Sequence, residues 1–171
     1  MLRRFRWLLM AIGLLALGSG GASIFSRPAH EVLYSPRPPL RTCLSSGCLA
    51  IYIIEVGNTG SEGQEDVRIR LRADVVRAAL LPVTVRNFGK VDRPVTVSEA
   101  GGVRTFAFGR VKPGDRVELS FTLRHGERFQ APGWEQILVA VEAAQGPAQP
   151  GDPAAVALGR MLYAVFGQGW W

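Results

Sequence analysis

Strict alternation of apolar and polar residues along positions 117–124 constrains the fold of this chain more than any other feature. Apolar residues at every second position have the period of a β-strand with one buried face, not the period of a helix. The apolar members, which we expect to face a core, are Val117, Leu119, Phe121 and Leu123. Such a strand needs a second layer over its apolar face, so the pattern predicts a layered β-domain.

Shorter stretches with the same period recur along the chain. Residues 49–56 are apolar on both faces, as in a central strand, and weaker strands are expected at 32–34 and 83–86. The remaining alternating apolar residues are Val67, Ile69, Leu71, Val95, Val97, Phe106 and Phe108. A last strand is expected at about 136–142, with Ile137, Val139 and Val141 inward. Residues 74–81 fit either a short helix or a crossing connection.

Turn-forming residues separate these strands. Asn58-Thr59-Gly60 is one such signal, and Lys112-Pro113-Gly114-Asp115 is another, with proline suited to the first corner position. No long amphipathic helix lies between the strands in the sequence, which argues against a parallel α/β sheet. The predicted fold class is therefore all-β: an immunoglobulin-like antiparallel β-sandwich over residues 42–144.

The stretch "IYIIEVGNTGSEGQEDVRIRL" and the later "VKPGDRVELSFTL" together resemble bacterial immunoglobulin-like domains of cell-surface proteins, such as the cell-adhesion-related CARDB group. The matching residues are Asn58-Thr59-Gly60, then Val67, Ile69 and Leu71, and then Pro113-Gly114-Asp115. The resemblance covers residues 42–144 and implies a sandwich fold. It implies little about function, because its motifs are turns and strand patterns. A single copy and the two closely spaced cysteines distinguish this chain from an adhesive tandem array.

The N-terminal 25 residues predict export. Arg3, Arg4 and Arg6 precede an apolar run over residues 7–17, followed by small residues, which is the order of a secretory signal or a signal-anchor helix. Arginines at this end stay in the cytoplasm, so the rest of the chain is expected outside it. Retention as an anchor and cleavage near residue 18 or 22 both remain open. The residues expected in the membrane are Trp7, Leu8, Leu9, Ile12, Leu14 and Leu15.

Two segments rich in proline or glycine flank the predicted sandwich. Residues 26–41 contain four prolines and predict a stiff extended stalk, and residues 145–153 predict a linker. The net charge is +6, but without the three N-terminal arginines 17 basic residues face 14 acidic ones. So weak an excess, on an exported protein, argues against a nucleic-acid partner.

Cys43 and Cys48 are the only cysteines, and in an oxidising compartment they predict a local disulfide. A redox pair and half of a metal site are the alternatives. Redox pairs usually lie at a helix start, and zinc needs about four ligands. His30 and His125 are the only histidines, and neither stands in a catalytic motif. We therefore expect no catalytic residue, no metal and no cofactor.

Arg68, Arg70 and Arg72 alternate with apolar residues and are expected to project from one face of a strand. They are the candidate anion contact, either for anionic lipid headgroups or for a carboxylate-bearing partner. The alternative is a solvated face balanced by neighbouring acids.

Residues 154–171 predict a short apolar helix that ends in paired tryptophans, which favour the membrane interface. Three placements remain open: a second span, docking on a membrane or a neighbouring protein, and folding back onto the sandwich. The candidate interface residues are Met161, Leu162, Phe166, Trp170 and Trp171.

These observations predict a non-catalytic interaction or accessory module. It would be tethered to a bacterial inner membrane, with its domain on the periplasmic or extracellular side, or secreted if the signal is cleaved. Its expected partners are the membrane and another envelope protein. A thiol–disulfide redox protein that uses Cys43 and Cys48, and an anionic-lipid binder, are the alternative functions.

Overall fold

The computed structural model describes residues 28–44, 47–89, 95–126 and 131–166 of the 171-residue chain. The strands are β1 Val32–Leu44, β2 Gly47–Asn58, β3 Arg68–Arg72, β4 Thr84–Asn87, β5 Thr96–Ala100, β6 Val103–Ala107, β7 Arg116–His125, β8 Leu138–Ala143, β9 Gly146–Pro147 and β10 Gln149–Pro150. The helices are α1 Ala73–Arg77, α2 Trp134–Ile137 and α3 Pro153–Phe166. Residues Ala29–Pro153 form one compact unit, and the rest of α3 lies outside that unit.

Two five-stranded sheets make up this unit. Sheet 1 has the order β10-β1-β2-β7-β4, and sheet 2 has the order β5-β6-β3-β8-β9. Their neighbouring strands are antiparallel except for β1 and β10, which pair in parallel over two residues. The prediction of an antiparallel β-sandwich is therefore confirmed.

The strand order agrees with that of constant-type immunoglobulin domains, in which strands A, B, E and D form one sheet and C, F and G the other. In sheet 1, strands A, B, E and D correspond to β1, β2, β7 and β4. In sheet 2, strands C, F and G correspond to β3, β8 and β9. The hairpin β5–β6 is an addition beside β3. It lengthens sheet 2 on the side where α1 crosses between the sheets.

The alternation of β7 is confirmed by burial. Its four apolar residues, Val117, Leu119, Phe121 and Leu123, are at most 6% exposed. They belong to one buried cluster with the inward residues of β2, the neighbouring strand in sheet 1, and those of β3 in sheet 2. Phe106 and Phe108, which alternate with Thr105 and Ala107, are also buried.

One aromatic cluster occupies an end of this core. The rings of Tyr52 and Phe121 are stacked with centroids 5.1 Å apart. Trp134 meets both rings edge-on, at 5.5 and 6.1 Å. Aromatic pairs at these separations add about 0.5–1.5 kcal/mol each beyond burial of their area.

The prediction for the last strand was wrong at Val139. That residue is 46% exposed, whereas Ile137 and Val141 are buried. The pairing of β3 with β8 shifts register here, since Arg70 lies opposite Ala140 and Leu71 lies opposite Leu138. A bulge therefore removes Val139 from the alternation. Residues 134–137 also form helix α2 instead of the start of the strand.

The prediction of a proline-rich stalk over residues 26–41 was also wrong, because residues 32–44 form strand β1 of sheet 1. Strand β10 pairs with β1 only at Leu33 and Tyr34, so the rest of β1 is an edge strand, where proline is tolerated. Pro38 and Pro39 lie in a bulge, where the register against β2 shifts between Arg37 and Leu40. The Trp134 indole N–H donates to the Arg37 carbonyl at 2.6 Å beside this bulge.

The domain also begins earlier and ends later than predicted. The backbone of residues 29–31 is bound to the turn after β2, with Thr59 and Gly60 N–H groups donating to the Glu31 carbonyl at 3.0 and 3.2 Å. Gly60 has no room for a β-carbon, which would lie 2.7 Å from the Ala29 oxygen. Within the predicted linker, β9 forms an edge strand of sheet 2 and β10 forms an edge strand of sheet 1.

The predicted C-terminal helix is present as α3, which begins at Pro153. Within the described ranges, no helix is both long and apolar enough to cross a membrane. The signal-anchor segment, residues 1–25, lies outside these ranges.

Candidate functional site

The predicted anion contact consists of side chains that already have acidic partners. Arg68 pairs with Asp66, Arg72 donates to Asp74 at 2.7 Å, and Arg70 lies 3.5 Å from Glu142. The pairing with Arg72 lowers the pKa of the Asp74 carboxyl. The three arginines project from the outer face of sheet 2, as expected, but their charges are balanced within the chain. This arrangement is that of a solvated face with neighbouring acids.

Cys43 and Cys48 are joined by a disulfide that closes the β1–β2 hairpin. Cys43 is exposed, whereas Cys48 is 2% exposed and lies opposite His125 of β7. The Nδ1 atom of His125 lies 3.1 Å from the Gly126 carbonyl, and its Nε2 atom is buried with no hydrogen-bond partner in the described part of the chain. Local sequence contains no signal for this pairing across strands.

The candidate interface residues of α3 are described only in part. Met161 and Leu162 are exposed, at 55% and 44%, as is Leu158. The Phe166 side chain lies outside the described residues, together with Trp170 and Trp171. The six predicted membrane residues between Trp7 and Leu15 do so too.

Tertiary pairing creates an apolar row on the outer face of sheet 1 that sequence reasoning missed. Leu40 lies opposite Ile51, and Ile51 lies opposite Thr122. The Leu80 N–H donates to the Thr122 carbonyl at 2.8 Å, which extends the row beside β7. Exposed fractions are 62% for Leu40, 37% for Ile51, 51% for Leu80 and 61% for the following Leu81. We call these four leucine and isoleucine residues the apolar row.

A charged network lies farther along the same outer face. The Glu55 carboxylate accepts from the guanidinium groups of Arg37 at 3.0 Å and Arg116 at 2.8 Å. The Glu55 side chain is only 3% exposed, and the Phe88 ring packs 5.3 Å from the Arg116 guanidinium carbon. A carboxylate held by two arginines has the geometry of a structural ion pair. Among the described residues, no three His, Cys, Asp or Glu side chains are grouped so as to hold a metal ion.

A cleft of about 450 Å³ lies next to α1, between the β5–β6 hairpin and residues 79–83. Its apolar lining consists of Val76, Ala79, Pro82, Val83, Val97 and Phe106. Two arginines, Arg77 and Arg104, complete the lining. Arg104 is two residues before the buried Phe106 in β6, so the two side chains are on the same face of the strand. The alternation in the sequence therefore already indicated an inward arginine.

Comparisons with known proteins supply no family. No family model matches the chain, and no curated protein matches it. The resemblance to CARDB-like domains is therefore unconfirmed, whereas the β-sandwich itself is confirmed by the two sheets.

The solved structures that are similar in part include the following two. One is a GH20 exo-β-N-acetylglucosaminidase, an inactive mutant from Vibrio harveyi: 6% identity, TM-score 0.40, with 72% of this chain and 18% of that chain covered. The other comes from biomass-sensing modules of Rsgi-like proteins of Clostridium thermocellum, described as resembling a family 3 carbohydrate-binding module of the cellulosome. It has 14% identity and a TM-score of 0.35, with 74% and 99% covered. Likenesses this distant carry no argument about function.

Proposed function

We propose that this protein is an exported, membrane-tethered β-sandwich module without catalytic activity, which docks on another protein of a bacterial envelope. The N-terminal arginines followed by an apolar run support export and tethering. The Cys43–Cys48 disulfide supports an oxidising compartment on the outer side of the membrane.

The apolar row carries the interaction part of the proposal. A sheet face that meets only water normally presents polar residues, with apolar residues reserved for the core. Here Leu40 of β1 lies opposite Ile51 of β2, and Leu80 is bound to Thr122, the β7 residue opposite Ile51. Each of the three apolar residues is at least 37% exposed. Clustered exposed apolar residues of this kind mark contact surfaces of proteins. The charged network around Glu55 would form the polar rim next to them.

The docking partner is expected to be a different envelope protein, not a second copy of the chain. A photo-crosslinking residue replaces Leu40, Ile51 or Leu80 in the full-length protein in cells. Each position should give the same discrete adduct. The matched control is Ser98, on the exposed edge strand β5 of the other sheet, and it should give no such adduct.

A second variant distinguishes specific docking from adventitious contact. Ile51→Asp places a charge in the centre of the apolar row, on a side chain that packs outside the core. With the crosslinker at Leu80, this substitution should reduce the adduct at least tenfold while thermal unfolding stays the same. An adduct of twice the protein's own mass would show that the partner is a second copy of the chain, and it would contradict docking on a different envelope protein. Equal adducts from Ser98 and the row would disprove the docking surface.

Topology is tested separately. A reporter enzyme that is active only outside the cytoplasm, fused after Trp171, should be active, and the fusion should sediment with membranes. Activity in a soluble, shortened product would mean cleavage of the signal and secretion. An inactive but stable fusion would contradict export.

A further inference from the structure

The cleft next to α1 is a site that the proposed docking function does not use. One wall consists of β5 and β6, with Val97 and Phe106. The opposite wall consists of α1 and residues 79–83, with Val76 and Val83. Its volume of about 450 Å³ falls within the range of roughly 300–1,000 Å³ typical of small-molecule sites.

Arg104 gives this apolar cleft a specific chemistry. It lies in β6 opposite the fully buried Leu71 and opposite Glu99, so its side chain is on the core-facing side of sheet 2. Its Nε atom is buried and has no hydrogen-bond partner among the described residues. A buried donor without a partner is costly, because it has lost its hydrogen bonds to water.

The neighbouring charges leave Arg104 as the unneutralised cation of the cleft. Glu99, which is opposite Arg104 in the hairpin, forms its ion pair with Arg77 of α1 instead. No ion pair of Arg104 occurs within the described part of the chain. A guanidinium presents a planar fork of donors that matches a carboxylate in two parallel hydrogen bonds.

We propose that this cleft binds a small ligand in which one carboxylate is joined to an apolar body. The carboxylate pairs with Arg104, and the apolar body packs against Val83, Val97 and Phe106. A monoanion fits better than a phosphate dianion, because Arg77 is already paired with Glu99, one guanidinium is unneutralised, and the rest of the lining is apolar. Binding satisfies the Nε donor of Arg104 and covers apolar wall surface.

The test uses 3-phenylpropionate as the probe and its neutral amide, 3-phenylpropanamide, as the matched ligand. The full-length protein is held in lipid nanodiscs, and binding is followed by methyl NMR of valine side chains. Methyl signals of Val76, Val83 and Val97 should shift on addition of the acid, in a saturable manner. The amide should bind at least about tenfold more weakly, because it cannot form the charge-assisted pair.

Two variants locate the effect. Arg104→Met keeps the length of the side chain and removes the charge, and it should weaken binding of 3-phenylpropionate about tenfold or more. Arg70→Met removes an equal charge from the outer face of the same sheet and should change binding less than twofold. If Arg104→Met fails to fold, the comparison of acid with amide on the unsubstituted protein still tests whether the carboxylate is recognised.

Three results would overturn the proposal. One is equal affinity for the acid and the amide. Another is displacement of 3-phenylpropionate by millimolar inorganic phosphate with the same methyl shifts, which would indicate a general anion site. The third is the absence of saturable shifts at Val83 and Val97 up to millimolar probe. None of them affects the crosslinking test of the apolar row, so the two proposals fail independently.

Discussion

At the scale of single residues, Asn58 shows how one side chain organises the end of a sandwich. It is 1% exposed, and its amide nitrogen donates to the carbonyls of Glu62 at 2.7 Å and Val111 at 2.9 Å. Its amide oxygen accepts from the Gly60 N–H at 2.9 Å. The sequence identified Asn58 only as part of a turn. Its link to Val111, 53 residues away, is a tertiary contact.

Replacing Asn58 by alanine should therefore destabilise the domain by about 3 kcal/mol, because three hydrogen bonds of a buried side chain are lost at about 1 kcal/mol each. Asn58→Asp should also be destabilising, since a carboxylate cannot donate to the carbonyls of Glu62 and Val111. Urea unfolding measures both changes, with Ser98→Ala on the exposed edge strand as the control. A loss below 1 kcal/mol for Asn58→Ala would contradict the role assigned to its hydrogen bonds.

Tyr52 is the residue whose ionisation should limit stability in alkali. Burial raises the pKa of its hydroxyl above the ordinary value of 10.0, and the nearby Arg41 opposes this in part. The hydroxyl donates to the Pro132 carbonyl at 2.7 Å, a bond that the phenolate cannot form.

A raised pKa in the folded protein means that the unfolded chain ionises first. The stabilisation is complete below pH 10 and is lost as the pH rises through the folded-state pKa. Unfolding free energy should therefore decline above about pH 10, and Tyr52→Phe should reduce that decline. Phe121→Leu, which weakens packing but leaves the hydroxyl, should retain it. An identical decline in Tyr52→Phe would rule out Tyr52 as its source.

At the scale of elements, the β1–β2 hairpin explains both a confirmed prediction and a wrong one. The disulfide was predictable from cysteine spacing and compartment, and it joins residues that are directly opposite in the ladder. The proline-rich half of β1 was expected to be a stalk, because proline lacks the N–H that a central strand needs. The edge position and the bulge at Pro38 and Pro39 remove that requirement, and neither is visible in local sequence.

Substitution of both Cys43 and Cys48 by serine should lower stability by about 2 kcal/mol, the value expected for closing so short a loop. Docking through the apolar row should persist at permissive temperature. Unsubstituted protein treated with a reductant is the matched control and should unfold at the same denaturant concentration as the double variant. Thiol–disulfide exchange with turnover that depends on these two cysteines would instead support the redox alternative.

At the scale of the whole molecule, the added hairpin β5–β6 forms one side of the cleft that contains Arg104. It extends sheet 2 beside β3, while sheet 1 ends at β4 on that side. The cleft with Arg104 lies there, under α1. The immunoglobulin-like strand order by itself provides the core, and the addition provides a cavity with an inward cation.

Removal of residues 154–171 should leave the sandwich folded, because Ala29–Pro153 is a compact unit by itself. The unfolding free energy of the unit should change by less than about 1 kcal/mol. Association with the envelope partner should weaken, because exposed apolar residues of α3, such as Met161 and Leu162, are lost. Parallel unfolding and crosslinking measurements check both statements, and loss of the folded domain would show that α3 is part of its core.

Local sequence is enough to predict which side chains of a strand share a face, since that depends only on the local geometry of extended backbone. The inward residues of β7 and the outward arginines of β3 followed from this rule. The tertiary structure alone decided which strands are neighbours, where bulges interrupt the alternation, and which edges stay open. Val139, the prolines of β1, the apolar row and the cleft around Arg104 all depend on pairings between residues far apart in the chain. Local periodicity contains no information about those pairings, because register is set where one strand meets another.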